Sequence, residues 1–197
     1  NYPALFHQRK DEYLSLVQDV LSRGAYIMQK DLIDFEKDLA KYLGVNHAIG
    51  VADGTMALLT SLMASGIGRG DEVIVPSHTF IASAAAIHHT GAKPILAECQ
   101  ADHLINPNSI VKLITSKTKA IMPVQLNGRV ANMDAISKIA TEYNLIIIED
   151  SCQALGSKYK NKFAGTFGDA GVYSYYSTKA IFAMDGVAVI DMRTAVL

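Results

Sequence analysis

Short apolar runs alternate with longer stretches of helical periodicity along most of this chain. Uninterrupted or nearly uninterrupted apolar runs stand at 47–51, 72–75, 94–97, 120–122 and 145–148, with two more at 171–173 and 187–190. Each has the length of a buried strand. Between them, 56–65, 79–90, 107–115 and 132–143 read as helices. Two more helices are predicted upstream, at 8–22 and 31–43, where Leu14, Val17 and Leu21, then Leu32, Phe35, Leu39 and Leu43, recur at helical spacing. Asp31 is the expected N-cap of the second, and Gly44 its expected stop. Glu72-Val-Ile-Val75 follows the turn Gly68-Arg-Gly70 and is ended by Pro76. Strands that are apolar on both sides and separated by helices predict an α/β fold, with a mostly parallel central sheet and helices on both faces.

Composition narrows the class. With 197 residues and 50% hydrophobic content, one domain can bury roughly 70% of the surface its unfolded chain exposes. The net charge is −1, from 18 basic and 19 acidic residues, with no basic stripe, so the electrostatic footprint of a nucleic-acid binder is absent. The apolar runs stop well short of the roughly 18 residues of a membrane span, and the first residues do not read as a secretory signal. Cys99 and Cys152 lack metal-type spacing and are expected to be reduced thiols in a cytoplasmic protein. His78, His88, His89 and His103 show no ligand spacing either. The chain does not open on Met and stops at Thr194-Ala-Val-Leu197, which leads us to expect a portion of a longer protein.

In open α/β sheets, ligands gather at the carboxyl ends of the strands, and several chemically useful residues fall there. Asp53-Gly54-Thr55 follows one strand and opens a helix, where backbone N–H groups and the Thr hydroxyl suit a phosphate. The bland alternative is an ordinary capped turn. No G-x-G-x-x-G or G-x-x-x-x-G-K-[ST] is present, which disfavours a dinucleotide or P-loop site. Phe80, just past Val-Ile-Val-Pro, could stack on a flat ring or simply pack in the core. Asp150 ends the run Ile146-Ile-Ile-Glu-Asp. A carboxylate there needs a partner, and a protonated pyridine nitrogen would serve; it could instead cap the next turn. Side-chain alternation turns Glu149 to the other face, and it is assigned no catalytic role. Gln153 lies three residues past Asp150, within reach of a ring hydroxyl.

Lys179 closes the run Gly168-Asp-Ala-Gly-Val-Tyr-Ser-Tyr-Tyr-Ser-Thr-Lys179, five residues after Ser174, and is followed by Ala-Ile-Phe-Ala-Met184. Apolar neighbours favour a neutral, nucleophilic amine; a surface lysine is the alternative. Taken in order, the phosphate turn, aromatic, acid with glutamine, and serine with lysine are the parts that hold pyridoxal 5′-phosphate (PLP). The lysine forms the imine, the serine binds phosphate, and the carboxylate pairs with the ring nitrogen.

These stretches resemble the DegT/DnrJ-type (StrS-like) sugar aminotransferases, a group of fold-type-I PLP enzymes. The likeness runs from about residue 12 to about residue 190. It is carried by Gly70-Asp-Glu-Val-Ile-Val-Pro-Ser-His-Thr-Phe80, Thr118-Lys-Ala-Ile-Met-Pro-Val124, Asn127-Gly128 with Asn132-Met-Asp134, Glu149-Asp-Ser-Cys-Gln-Ala-Leu-Gly156 and the run ending at Lys179. The resemblance implies that residues 1–197 are a PLP-binding large domain lacking the family's small C-terminal domain. It implies Lys179 as the catalytic residue, which bonds the cofactor and shuttles the proton. Asp150 would hold the ring nitrogen, Gln153 the ring hydroxyl, Phe80 a ring face, and Gly54, Thr55 and Ser174 the phosphate. It implies a cytoplasmic homodimer, outside the membrane and without nucleic acid, that moves an amino group, usually from glutamate, to a nucleotide-linked keto sugar in polysaccharide or antibiotic-sugar biosynthesis. Two departures stand out. Met184 and Val187 occupy a loop that is usually glycine-rich, and Gln125 replaces a common His, which leaves the substrate side open. Other fold-type-I reactions (sugar dehydration, C–S cleavage) and a non-catalytic or regulatory relative remain as alternatives. Relatives that remove a hydroxyl often lack the lysine, so Lys179 weighs against dehydration.

Overall fold

A computed structural model of the chain describes residues 2–176, 178, 179 and 187–191. Seven strands form the main sheet. They are β1 (His47–Val51), β2 (Glu72–Pro76), β3 (Lys93–Ala97), β4 (Thr118–Ile121), β5 (Ile146–Asp150), β8 (Ala170–Ser174) and β9 (Val187–Asp191), in the spatial order β1-β9-β8-β5-β4-β2-β3. From β8 to β3 every pairing is parallel. Only β9 runs against its neighbours, β8 and β1. Helices connect the strands from β1 through to β5, as crossovers between parallel strands require, while residues 151–169 join β5 to β8 without a helix. These helices are α4 (Gly54–Ala64), α5 (Ile81–His89), α6 (Pro107–Leu113) and α7 (Met133–Tyr143), with α1 (Tyr2–Gln8), α2 (Lys10–Arg23) and α3 (Lys30–Leu43) ahead of the sheet.

Strand alternation decides which face each residue serves. Val73, Val75, Met122, Ile148 and Val172 pack under α4 and α5 with Leu58, Leu62 and Ile87. Ile74, Ile121 and Ile147 pack on the other face with Ile110, Met133 and Ile136 of α6 and α7. Leu39 and Leu43 of α3 cover Tyr173 and Ala188 at the β8–β9 end. Leu58 and Leu62 are fully buried, and each such side chain contributes about 1.5–3 kcal/mol.

Several local expectations change. The helix expected at 8–22 is α2, starting two residues later; the unpredicted α1 precedes it across Arg9, and α2 buries none of its residues. Leu14, Val17 and Leu21 stay exposed. Asp31 is not the cap of α3. The helix begins one residue earlier, at Lys30 after Gln29, and Asp31 pairs with Arg23 at 3.1 Å. Gly44 does stop that helix, at φ 71°. The small hairpin β6 (Lys158–Tyr159) and β7 (Lys162–Phe163) was not read from the sequence at all. Its turn residues Lys160 and Asn161 both sit at positive φ, and two-residue strands leave no periodic signal.

Close packing is severe at Gly171 in β8. A Cβ there would stand 2.0 Å from the carbonyl oxygen of Gly165. Since that obstacle is backbone, Gly171→Ala is expected to destabilise the fold by about 2 kcal/mol, seen as a lower thermal midpoint. An unchanged midpoint would show that the 165–168 turn can move aside.

Candidate active site

Alternation places Ser174 on the same face as Val172, and Asp150 on the same face as Ile148, so both open toward α4 and α5. The first turns of those helices close the space. The result is a cleft of about 710 Å³ at the carboxyl ends of the strands. Gly54, Thr55, Phe80, Asp150, Gln153, Ser174 and Lys179 all line it, although they come from four separate segments of chain.

At one wall, α4 begins at Gly54. Asp53 caps it by accepting from the Met56 N–H at 2.9 Å. The first-turn N–H groups of Gly54 and Thr55 have no carbonyl one turn earlier to bind. A Cβ at Gly54 would come within 3.2 Å of Cys152 Sγ, so the helix end and the Asp150 loop meet tightly.

Asp150 forms the floor and is 7% exposed. Its Oδ2 accepts from Ser83 Oγ at 2.7 Å and its Oδ1 from the Cys152 N–H at 3.3 Å. Among the described residues no Lys, Arg or His forms an ion pair with it. A buried carboxylate with two neutral donors and no cation is costly unless a positive group arrives. Beside it, burial first and the Asp150 carboxylate second push the Cys152 thiol well above its ordinary range, while Lys179 pulls the other way. The amine and the carboxylate therefore act on one thiol between them, and that thiol is neutral.

Gln153 Oε1 accepts from the Asn127 N–H at 2.9 Å, which leaves its NH2 as the donating end. Ser174 Oγ accepts from the Tyr176 N–H at 3.3 Å, and the Lys179 N–H donates to the Tyr176 carbonyl at 2.8 Å, so serine and lysine share one turn. Phe80 is not in the core: it is 67% exposed at the cleft edge. The apolar stretch that follows Lys179 and the loop residues Met184 to Gly186 lie outside the described residues.

Glu149 sits on the opposite face, fully buried. Its Oε1 accepts from the N–H groups of Phe167 (2.6 Å) and Gly168 (3.0 Å), and its Oε2 from Gly165 N–H and Gln125 Nε2 (both 2.8 Å). Burial pushes this carboxyl up, and the four donors pull it back. Gln125 is thereby placed. It does not line the cleft. It is fully buried, holding Glu149 with its NH2 and the Ala131 N–H with its oxygen, at 2.8 Å. A glutamine can donate and accept at once, and this position uses both ends.

Sequence reasoning missed Cys152, Thr79 and Ser83 at or behind the cleft. The last two had a signal, their i, i+4 spacing at the start of the helix after Val-Ile-Val-Pro. Elsewhere His78 stacks on His103 at 5.2 Å, and no three metal-ligating side chains cluster among the described residues. Among the same residues no helix is long and apolar enough to cross a membrane.

Comparison with known proteins supports this picture. GDP-perosamine synthase of Caulobacter vibrioides is 44% identical over 156 residues, 79% of this chain and 42% of that protein. The structure of Streptomyces venezuelae DesV in complex with a ketimine intermediate superposes with a TM-score of 0.94 at 38% identity, over 98% of this chain and 53% of that one. NtdA of Bacillus subtilis, solved with bound cofactor PMP, gives 0.88 at 32% identity, over 95% and 42%. The chain thus spans about half the length of the curated relatives it matches. The mostly parallel sheet covered on both faces is that of the fold-type-I PLP aminotransferases. The DegT/DnrJ/EryC1/StrS aminotransferase family model matches residues 7–193. With the fold shared and the match running through nearly every element described above, the chain belongs to the DegT/DnrJ/EryC1/StrS aminotransferase family.

Proposed function

We propose that the protein is a PLP-dependent aminotransferase that carries an amino group from glutamate to the keto group of a nucleotide-linked sugar. The observation that carries this is Asp150: a buried carboxylate, unpaired by any cation among the described residues, on the floor of a cleft that Lys179 also lines. The residues fit the cofactor. Gly54 and Thr55 at the α4 N-terminus and the Ser174 hydroxyl are donors for its phosphate. The Asp150 carboxylate would accept from the ring N–H, in a charge-assisted bond contributing about 1.5–3 kcal/mol. The Gln153 NH2 would donate to the ring oxygen, and Phe80 would cover a face of the ring.

When bound, PLP supplies an aldehyde for imine chemistry and a pyridinium ring that withdraws the electrons released at the substrate carbon. Lys179 Nζ takes the proton from Cα of the amino donor. In the second half-reaction it delivers one to the sugar carbon that gains the amine. Asp150 keeps the ring nitrogen protonated through both halves. The proposal includes a cytoplasmic homodimer whose partner subunit completes each site.

The test is direct. The full-length protein is incubated with PLP, glutamate and a nucleotide-linked keto sugar. Formation of 2-oxoglutarate in step with aminated sugar is the expected result. Sugar consumption without 2-oxoglutarate would point to dehydration instead, and failure to take up PLP would remove the proposal.

A further inference from the structure

Behind Asp150 lies a chain of hydroxyls that the reaction as described does not use. Ser83, in the first turn of α5, is fully buried, and its Oγ donates to Asp150 Oδ2 at 2.7 Å. Thr79 Oγ1, in the loop just before α5, stands 2.9 Å from Ser83 Oγ. A hydroxyl has one proton to give. Ser83 commits its proton to the carboxylate, so at the Thr79 contact Ser83 accepts and Thr79 donates. The chain therefore runs one way, from Thr79 on the cleft wall, through Ser83, to the carboxylate, and each donor polarises the next.

The geometry also decides which bond orients the acid. The terminal torsion of an aspartate is broad and nearly two-fold. The Cys152 N–H reaches Oδ1 only at 3.3 Å, close to the limit for such a bond. Ser83 makes the shorter contact, from a residue whose own N–H is tied to the Phe80 carbonyl at 3.2 Å.

We propose that Ser83 is a positioning residue: it holds the Asp150 carboxylate in the orientation that receives the cofactor's ring N–H, and Thr79 in turn orients Ser83. The inference rests on the PLP chemistry proposed above. It concerns residues 67 positions apart in sequence, which meet only because β5 and α5 face each other.

The test uses the full-length protein loaded with PLP carrying 15N in its ring. In the wild type the ring nitrogen is expected to show the chemical shift of the protonated form. In Ser83→Ala that shift should move toward the neutral pyridine value, with PLP Kd weakened about tenfold, the effect of losing one hydrogen bond to a charged group. Ser83→Cys, which keeps the size and a weak donor, should fall between. Should Ser83→Ala fail to fold, Thr79→Val at its partly exposed site carries the test, with the same direction and a Kd change of about two- to threefold. A PLP-loaded variant with the wild-type 15N shift and wild-type Kd would overturn the inference while leaving the aminotransferase proposal standing. A wild-type protein that takes up no PLP would overturn both.

Discussion

Lys179→Ala is expected to lower turnover by at least about a thousandfold. Among the described residues lining the cleft, Lys179 supplies the only amine, so no neighbour can take over the proton at the substrate carbon or the bond to the cofactor aldehyde. The phosphate donors at Gly54, Thr55 and Ser174 and the carboxylate of Asp150 remain. PLP should therefore still bind, with Kd changing far less than the rate, and its visible absorbance band should be lost or displaced. Single-turnover kinetics with glutamate separate the two effects. Turnover within tenfold of wild type would mean that another group moves the proton.

Glu149→Gln is expected to destabilise the fold by about 3 kcal/mol, although it changes one atom and keeps the shape. Both carboxylate oxygens accept two hydrogen bonds each, and all four partners are N–H donors. Whichever way the new amide turns, its NH2 faces two donors and leaves them unsatisfied in a site closed to water. The 165–168 turn and the Gln125 side chain would lose their anchor together. Denaturation with guanidinium should show a lower midpoint with an unchanged slope. An unchanged midpoint would show that the carboxyl is held protonated and the donors are satisfied elsewhere.

The two neighbouring acids show how far local pattern carries. Alternation along β5 was enough to send Asp150 to one face and Glu149 to the other, and to deny Glu149 a catalytic place. It was not enough to reveal that Glu149 collects four donors. Three of them come from a turn 16 to 19 residues later, in a segment with no periodicity. The place of Gln125 was hidden for the same reason. Its neighbours in sequence say nothing about Glu149, 24 residues away, and only the parallel pairing of β4 with β5 brings them side by side. Phe80 went the other way: its aromatic character allowed a core position or a ring contact, and its exposure at the cleft edge favours the second.

Upstream, helical spacing correctly marked α2 and α3 as helices but could not tell a covered stripe from an open one. Leu39 and Leu43 meet Tyr173, while Leu14, Val17 and Leu21 stay exposed. Periodicity reports that an apolar face exists; burial depends on whether another element arrives.

The chain order of the main strands and helices, the mostly parallel sheet and seven of the cleft residues were determined by the sequence alone, because each rests on local periodicity or on the rule that loops at the carboxyl ends of strands converge. The Thr79–Ser83–Asp150 relay, the Glu149 clasp, the hairpin at 158–163 and the open stripe on α2 were decided only by the tertiary structure. Each depends on which distant segment the sheet order sets beside it, and a contact across 67 residues leaves no trace in local spacing.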